Sequence, residues 1–232
     1  MKIAIMQPYL FPYIGYFQLI RSVNKFVLFD DVNFIKKGWI NRNNILINGK
    51  ANLFSVPLKE VSQNKMIADI YLASEIKWKS IFLRTIEQNY KKAPFYNIIY
   101  PLIEQIINSP VEKIGEMIKI SLGIINNYLG IGTEIVSSSS VYGHKDLKGE
   151  QRIIEICKME NAKGYINLIG GKEIYSKKLF LNEGIEIGFL QTRAISYDQK
   201  NGEFIPWLSI IDVMMFNSTE EINQMLDQYD LV

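Results

Sequence analysis

The stretch FDDVNFIKKGWINRNNI, residues 29–45, gathers reactive side chains closely. Asp30 and Asp31 can hold a cation, take a proton from a substrate hydroxyl or amine, or cap a turn. Lys36, Lys37 and Arg42 suit phosphate, the arginine as a bidentate donor. Trp39 offers a flat face to a base or sugar ring, and the amides of Asn41 and Asn43 can read hydroxyl or amide groups. A charge run is ordinarily a solvated face. Interleaving with tryptophan and asparagines directly after an apolar segment favours a ligand instead.

A second cluster lies at the start, in IMQPYLFPYIGYFQLI. Gln7, Pro8, Tyr9, Tyr13, Gly15 and Tyr16 exceed what a helix start needs, which is a small capping residue and an apolar stripe. Tyr13-Ile-Gly-Tyr16 resembles the His-x-Gly-His signature of nucleotidylyltransferases and class I synthetases. There the glycine lets a nucleotide approach and the imidazoles bond phosphates near a helix N-terminus. Tyrosine donates a hydrogen bond but brings no positive charge. The plainer alternative is that these rings pack the loop.

Three further features carry weaker signals. NLIGGKEIY places Gly170, Gly171 and Lys172 where backbone N–H groups could cradle a phosphate, though Gly-Gly is also a plain turn. His144, in a loop, could act as a base, but no Ser or Cys nucleophile is evidently paired with it. Cys157 is spaced four from Ile153 on a helix and is expected in the core, since a reactive thiolate needs open, electropositive surroundings.

These clusters need a scaffold, and the apolar patterning predicts one. Residues 2–6 read as a buried strand, 7–13 as a proline-bearing loop, and the segment from Gly15 as a short helix. Residues 26–29 form a second strand ending at Asp30, which completes a βαβ unit with parallel strands. Asn48-Gly49 between alternating segments predicts a hairpin over 44–57. Helices are expected over 78–90, 95–107 and 112–129, making residues 77–130 a helical insert in a single α/β domain of 232 residues. Strands follow at 134–137, 164–168 and 185–190, with helices at 147–160 and 207–216; serines 137–140 are read as a loop. The expected architecture is a Rossmann-like parallel sheet. In such sheets ligands sit beyond the carboxyl ends of the strands, where Gln7, Asp30 and Gly170 all fall.

Composition narrows the partners. With 48% hydrophobic and 22% charged residues the chain is an ordinary folded protein, and a net charge of +2 gives no field that implies DNA or an acidic membrane. One cysteine excludes an internal disulfide and fits a reducing cytosol, and one histidine excludes a multi-histidine zinc site. The start reaches Pro8 too soon for a signal-peptide core, and no apolar run spans a bilayer. The expected location is cytoplasmic.

Taken together, MQPYLFPYIGYFQLI, DDVNFIKKGWINRN, GYINLIGGKEIY and PWLSIIDVMMFNS resemble the WbqC-like family over nearly the whole chain. The resemblance implies a role in bacterial surface polysaccharide (O-antigen or capsule) biosynthesis. It implies a transferase moving an acyl or aminoacyl group, such as glycyl, to the amine of a dTDP-linked 4-amino-4,6-dideoxy sugar. On that expectation Lys37 and Arg42 hold the diphosphate, Trp39 stacks on base or sugar, and Asp30 or Asp31 accepts the amine proton. If the donor is made by ATP activation, the Tyr13–Gly15–Tyr16 helix start would cradle ATP. The alternatives are a nucleotidylyltransferase of the same pathway and a non-catalytic nucleotide-sugar-binding protein.

Overall fold

The computed structural model describes residues 1–232 apart from Ile76, Lys145 and Asn201. The chain opens with strand β1 (Lys2–Met6), helix α1 (Ile14–Arg21) and strand β2 (Lys25–Leu28), and the two strands pair in parallel. Alternation in these strands serves two cores. Ile3, Ile5 and Val27 face one apolar cluster, while Ala4, Phe26 and Leu28 face the other. A sheet buried on both faces explains why its strands read as nearly continuous apolar runs.

The predicted hairpin is β3 (Arg42–Ile47) and β4 (Lys50–Ser55), in antiparallel register. Asn48 and Gly49 both take positive φ, 51° and 73°, as the tight turn requires. A short pair, β5 (Leu58–Lys59) with β6 (Tyr71–Leu72), follows. Helices α2 (Lys77–Tyr90), α3 (Tyr96–Ile107) and α4 (Ile114–Leu129) then bury Phe82, Ile99 and Ile118 in the cluster that also takes Phe17 of α1.

The chain returns to the sheet with β7 (Glu134–Val136), α5 (Gly149–Met159) and β8 (Gly164–Leu168). It continues through α6 (Lys177–Asn182) and β9 (Glu186–Thr192) to α7 (Ile210–Phe216), α8 (Thr219–Leu226) and β10 (Tyr229–Leu231). Residues of α5 and α6 cover one face of the sheet, while α1, α4, α7 and α8 cover the other. The sheet order is β10-β9-β8-β1-β2-β7, parallel throughout except for β10, which runs against β9 at the edge. The chain first adds β2 and β7 on one side of β1, then β8 and β9 on the other. At that reversal the carboxyl ends of β1 and β8 lie side by side, the place where open α/β sheets bind ligands.

The helix expected over 207–216 starts later, at Ile210. Ser209 is its N-cap, accepting from the Ile211 N–H, and Trp207 lies outside the helix with φ 61°. Helices α6 and α8 and strands β5, β6 and β10 are additions to the expected elements. Among the described residues no helix is long and apolar enough to cross a membrane.

Candidate functional site

At the exit of β1 the chain must leave a buried strand and cross the sheet edge, and its rings are used to fix that path. Pro8, Leu10 and Phe11 are buried, and the Leu10 N–H donates to the Ile40 carbonyl at 2.9 Å, tying the exit to the turn that carries Trp39. Tyr16 is buried and donates its hydroxyl to the Gln7 carbonyl at 2.9 Å. Tyr9 stands edge-on to Tyr16 at 6.0 Å and lies 6.4 Å from Trp39. The Arg42 guanidinium sits 5.4 Å over the Trp39 ring and is held by the Gly38 carbonyl at 2.8 Å. Trp39 stays 50% exposed despite these neighbours. Burial raises the Tyr9 pKa, Tyr13 adds to the rise and Arg42 opposes it, so the phenol remains a neutral donor.

Tyr13 turns the other way. It meets Trp207 at 6.0 Å and forms one wall of a 320 Å³ pocket between the start of α1 and the segment following β9. The opposite wall is the Tyr197–Phe204 pair, with centroids 5.0 Å apart, while Thr192 and Arg193 supply polar atoms. A mostly apolar pocket with a few polar groups, at the carboxyl edge of a parallel sheet, has the character of a small-molecule site. Trp207 is 63% exposed in a backbone conformation unusual for so bulky a residue. Gly15 has a different use from nucleotide approach. A Cβ there would lie 2.3 Å from the Tyr13 ring and 2.6 Å from the Thr192 hydroxyl, so that space is already filled by protein.

The neighbouring aspartates differ sharply. Asp31 accepts from the Ser139 hydroxyl and from Arg152 Nη2 at 3.1 Å, and both ion-pair side chains are almost fully buried. Arg152 comes from α5, where it lies four before Ile156 on an otherwise apolar face; its Nη1 has no partner among the described residues. Asp30 accepts from the Ser138 hydroxyl at 2.7 Å and the Ser139 N–H at 3.1 Å, both through Oδ1. Burial raises its pKa despite those bonds, and Asp31 adds to the rise. Asp30 lines a small cleft with Ser138, Lys113 and Lys119.

Other expected residues serve the backbone. Asn43 is buried, donating to the Phe11 carbonyl at 2.8 Å, and Asn41 donates to the Val56 carbonyl at 2.7 Å. Lys36 and Lys37 are exposed on the turn before Trp39, Lys37 with φ 61°. Gly170 and Lys172 are exposed, whereas Gly171 packs against Asn167, whose amide carbon would lie 3.1 Å from an added Cβ. His144 is half-exposed, 4.0 Å from Glu155. Cys157 is buried in the core as expected, and that burial pushes its thiol up to about 12. Tyr9, Trp39 and Arg42 therefore meet, and Tyr13 lies close enough to Tyr9 to raise its pKa. Asp30 and Tyr13 line separate cavities.

The sequence profile of the WbqC-like protein family matches residues 7–224, a span that includes every side chain of the candidate site. The chain belongs to the WbqC-like family. An uncharacterized protein of Mycobacterium tuberculosis is 27% identical over 218 residues, covering 93% of each chain. No solved structure matches.

Within this WbqC-like chain, sequence reasoning passed over Trp207, Tyr197, Asp212 and Arg152. Asp212 is fully buried and accepts from Tyr90 at 2.8 Å, Tyr197 at 2.6 Å and Gln199 at 2.8 Å. Burial raises its pKa while those three donors oppose the rise. The signal was present, an acid within the apolar run SIIDVMM and an arginine within the apolar face of α5. A charge in such a position needs a partner.

Proposed function

We propose that this WbqC-like protein is a transferase of bacterial surface polysaccharide biosynthesis. It transfers an acyl or aminoacyl group, such as glycyl, to the amine of a nucleotide-linked amino sugar. The observation that carries the reading is the run of rings along the carboxyl edge of a largely parallel sheet: Trp39 beneath Arg42 with Tyr9 beside it, then Tyr13 and Trp207 around a mostly apolar pocket. Flat rings beside a fixed guanidinium suit a base or sugar joined to a diphosphate. Arg42, with Lys37 on the adjoining turn, engages the diphosphate, and Trp39 stacks on the sugar. The mostly apolar pocket of Tyr13 and Trp207 receives the base, and the sugar, beyond the diphosphate, extends toward the separate cleft that Asp30 lines.

In the transfer the sugar amine attacks the acyl carbonyl carbon. The N–C bond forms, the bond to the donor's leaving group breaks with its electron pair, and the amine proton goes to a base. Asp30 is assigned that role because its buried carboxylate has a raised pKa and keeps Oδ2 free of partners among the described residues. Asp31 is occupied by Arg152 and Ser139 and holds the loop in place. The start of α1 does not fit the phosphates of ATP. Ile14, Gly15 and Tyr16 are buried and the glycine's open side is filled, so no step is assigned to ATP there. The same filling disfavours nucleotidyl transfer.

Thermal unfolding in the presence of nucleotide sugars tests the binding. A ligand that binds the native form at a hundred times its dissociation constant stabilises by about 2.7 kcal/mol. A dTDP-linked 4-amino-4,6-dideoxy sugar should raise Tm, and Trp39→Ala should remove most of the rise. No rise with any nucleotide amino sugar would overturn the reading.

A further inference from the structure

A cavity of 560 Å³ lies between the β5–β6 pair, the start of α2 and the entry to α4. Its size is that of a small-molecule site, and its walls are of a different kind from those of the Tyr13 pocket. Lys59, Lys65 and Lys79 line it together with the rings of Tyr71 and Trp78, against two carboxylates, Glu60 and Glu112. Lys65 is paired with Glu60 at 3.5 Å. Lys59 and Lys79 have no carboxylate partner among the described residues. Lys79 instead reaches the Ser109 carbonyl at 3.4 Å and stands 5.8 Å over the Trp78 ring. Lys113 stands 5.4 Å over Tyr71 and is paired with Asp69 at 3.7 Å.

Two ammonium groups without a carboxylate partner and two aromatic rings have complementary needs. An anionic group meets the first and a planar ring the second.

We propose that this cavity is a second ligand site, for a small planar anion: a ring bearing a carboxylate or a phosphate. The ring lies against Trp78 and Tyr71, and the anion meets Lys59 and Lys79. The site stands independently of the transferase reading, since it shares no lining residue with the edge pockets.

The sequence contains three tryptophans, so Trp39→Phe with Trp207→Phe leaves Trp78 as the sole indole fluorophore. That variant is titrated with AMP against adenosine, and with nicotinate against nicotinamide, the two pairs separating phosphate from carboxylate. At least one anion should change the Trp78 emission saturably, with its uncharged counterpart about tenfold weaker or worse. Lys59→Gln and Lys79→Gln should each weaken the anion about tenfold. If Lys79→Gln fails to fold, Lys59→Gln, on an exposed position, carries the test. Equal binding of charged and uncharged partners, unchanged affinity in the lysine variants, or no saturable response to either anion would overturn the proposal.

Discussion

Asp30 and Asp31 are neighbours in the chain but live in different electrostatic surroundings. Asp31→Asn would leave Arg152 buried without its counter-charge, and breaking such a pair costs about 3–5 kcal/mol. The expected outcome in urea unfolding is a lower midpoint with ligand affinity per folded molecule little changed. Asp30→Asn should instead keep the fold and remove turnover. Because a base acts only when deprotonated and burial raises the Asp30 pKa, wild-type turnover should rise with pH through that raised value. The pH profile of turnover under saturating substrate checks it; a flat profile across the acidic range contradicts it. The pair of carboxylates was legible from residues 29–45 alone. Which of them is free was not, because Arg152 and Ser139 come from chain more than a hundred residues later.

Elements are joined at a few side chains. Ser209 caps α7, donates its hydroxyl to the Phe11 carbonyl at 2.8 Å, and its N–H meets the Asn44 carbonyl at 2.8 Å. Ser209→Ala should cost about 1–2 kcal/mol, read as a shift in the unfolding midpoint without a change of slope. Asp212 links α2, α7 and the segment before α7. Its pKa is raised from 3.8, so between that value and the raised one the folded state binds more protons than the unfolded chain. Stability from this group is therefore lost as pH rises through that window. Asp212→Asn should flatten that decline while costing about 1–3 kcal/mol from its lost hydrogen bonds, as unfolding midpoints from about pH 4 to neutrality will show. The hairpin was readable because Asn48-Gly49 has a local backbone requirement. Helix α8 was passed over although its local signal was present: Ser218 and Glu221 form a reciprocal cap at its start, with Ser218 N–H to Glu221 at 2.7 Å. The start of α7 was not readable, since apolar periodicity continues through Trp207 while the backbone turns left-handed there.

At the scale of the molecule, one rearrangement of order matters most. The chain builds its sheet outward from β1 in both directions, so strand exits separated in sequence share one edge. Apolar runs revealed the strands, but their order depends on packing of helices on both faces and is not written in any single segment. The aromatic pocket is likewise a product of distance, since Tyr13 shares it with residues from 192–206, which lie between the strand and the helix expected from periodicity. Gly15→Ala probes this joint directly. The added methyl must displace Tyr13 or Thr192, so the variant should lose about 1–3 kcal/mol and also lose the ligand-induced rise in Tm. Retention of the full rise would separate the pocket from binding. The most direct measurement of the central claim is mass spectrometry of a dTDP-linked amino sugar incubated with the protein and a panel of acyl and aminoacyl donors. The expected product is a sugar nucleotide heavier by the transferred group, absent with Asp30→Asn and with a sugar bearing a hydroxyl in place of the amine. Recovery of the bound sugar unchanged with every donor, or the same product from Asp30→Asn at wild-type rate, would contradict it.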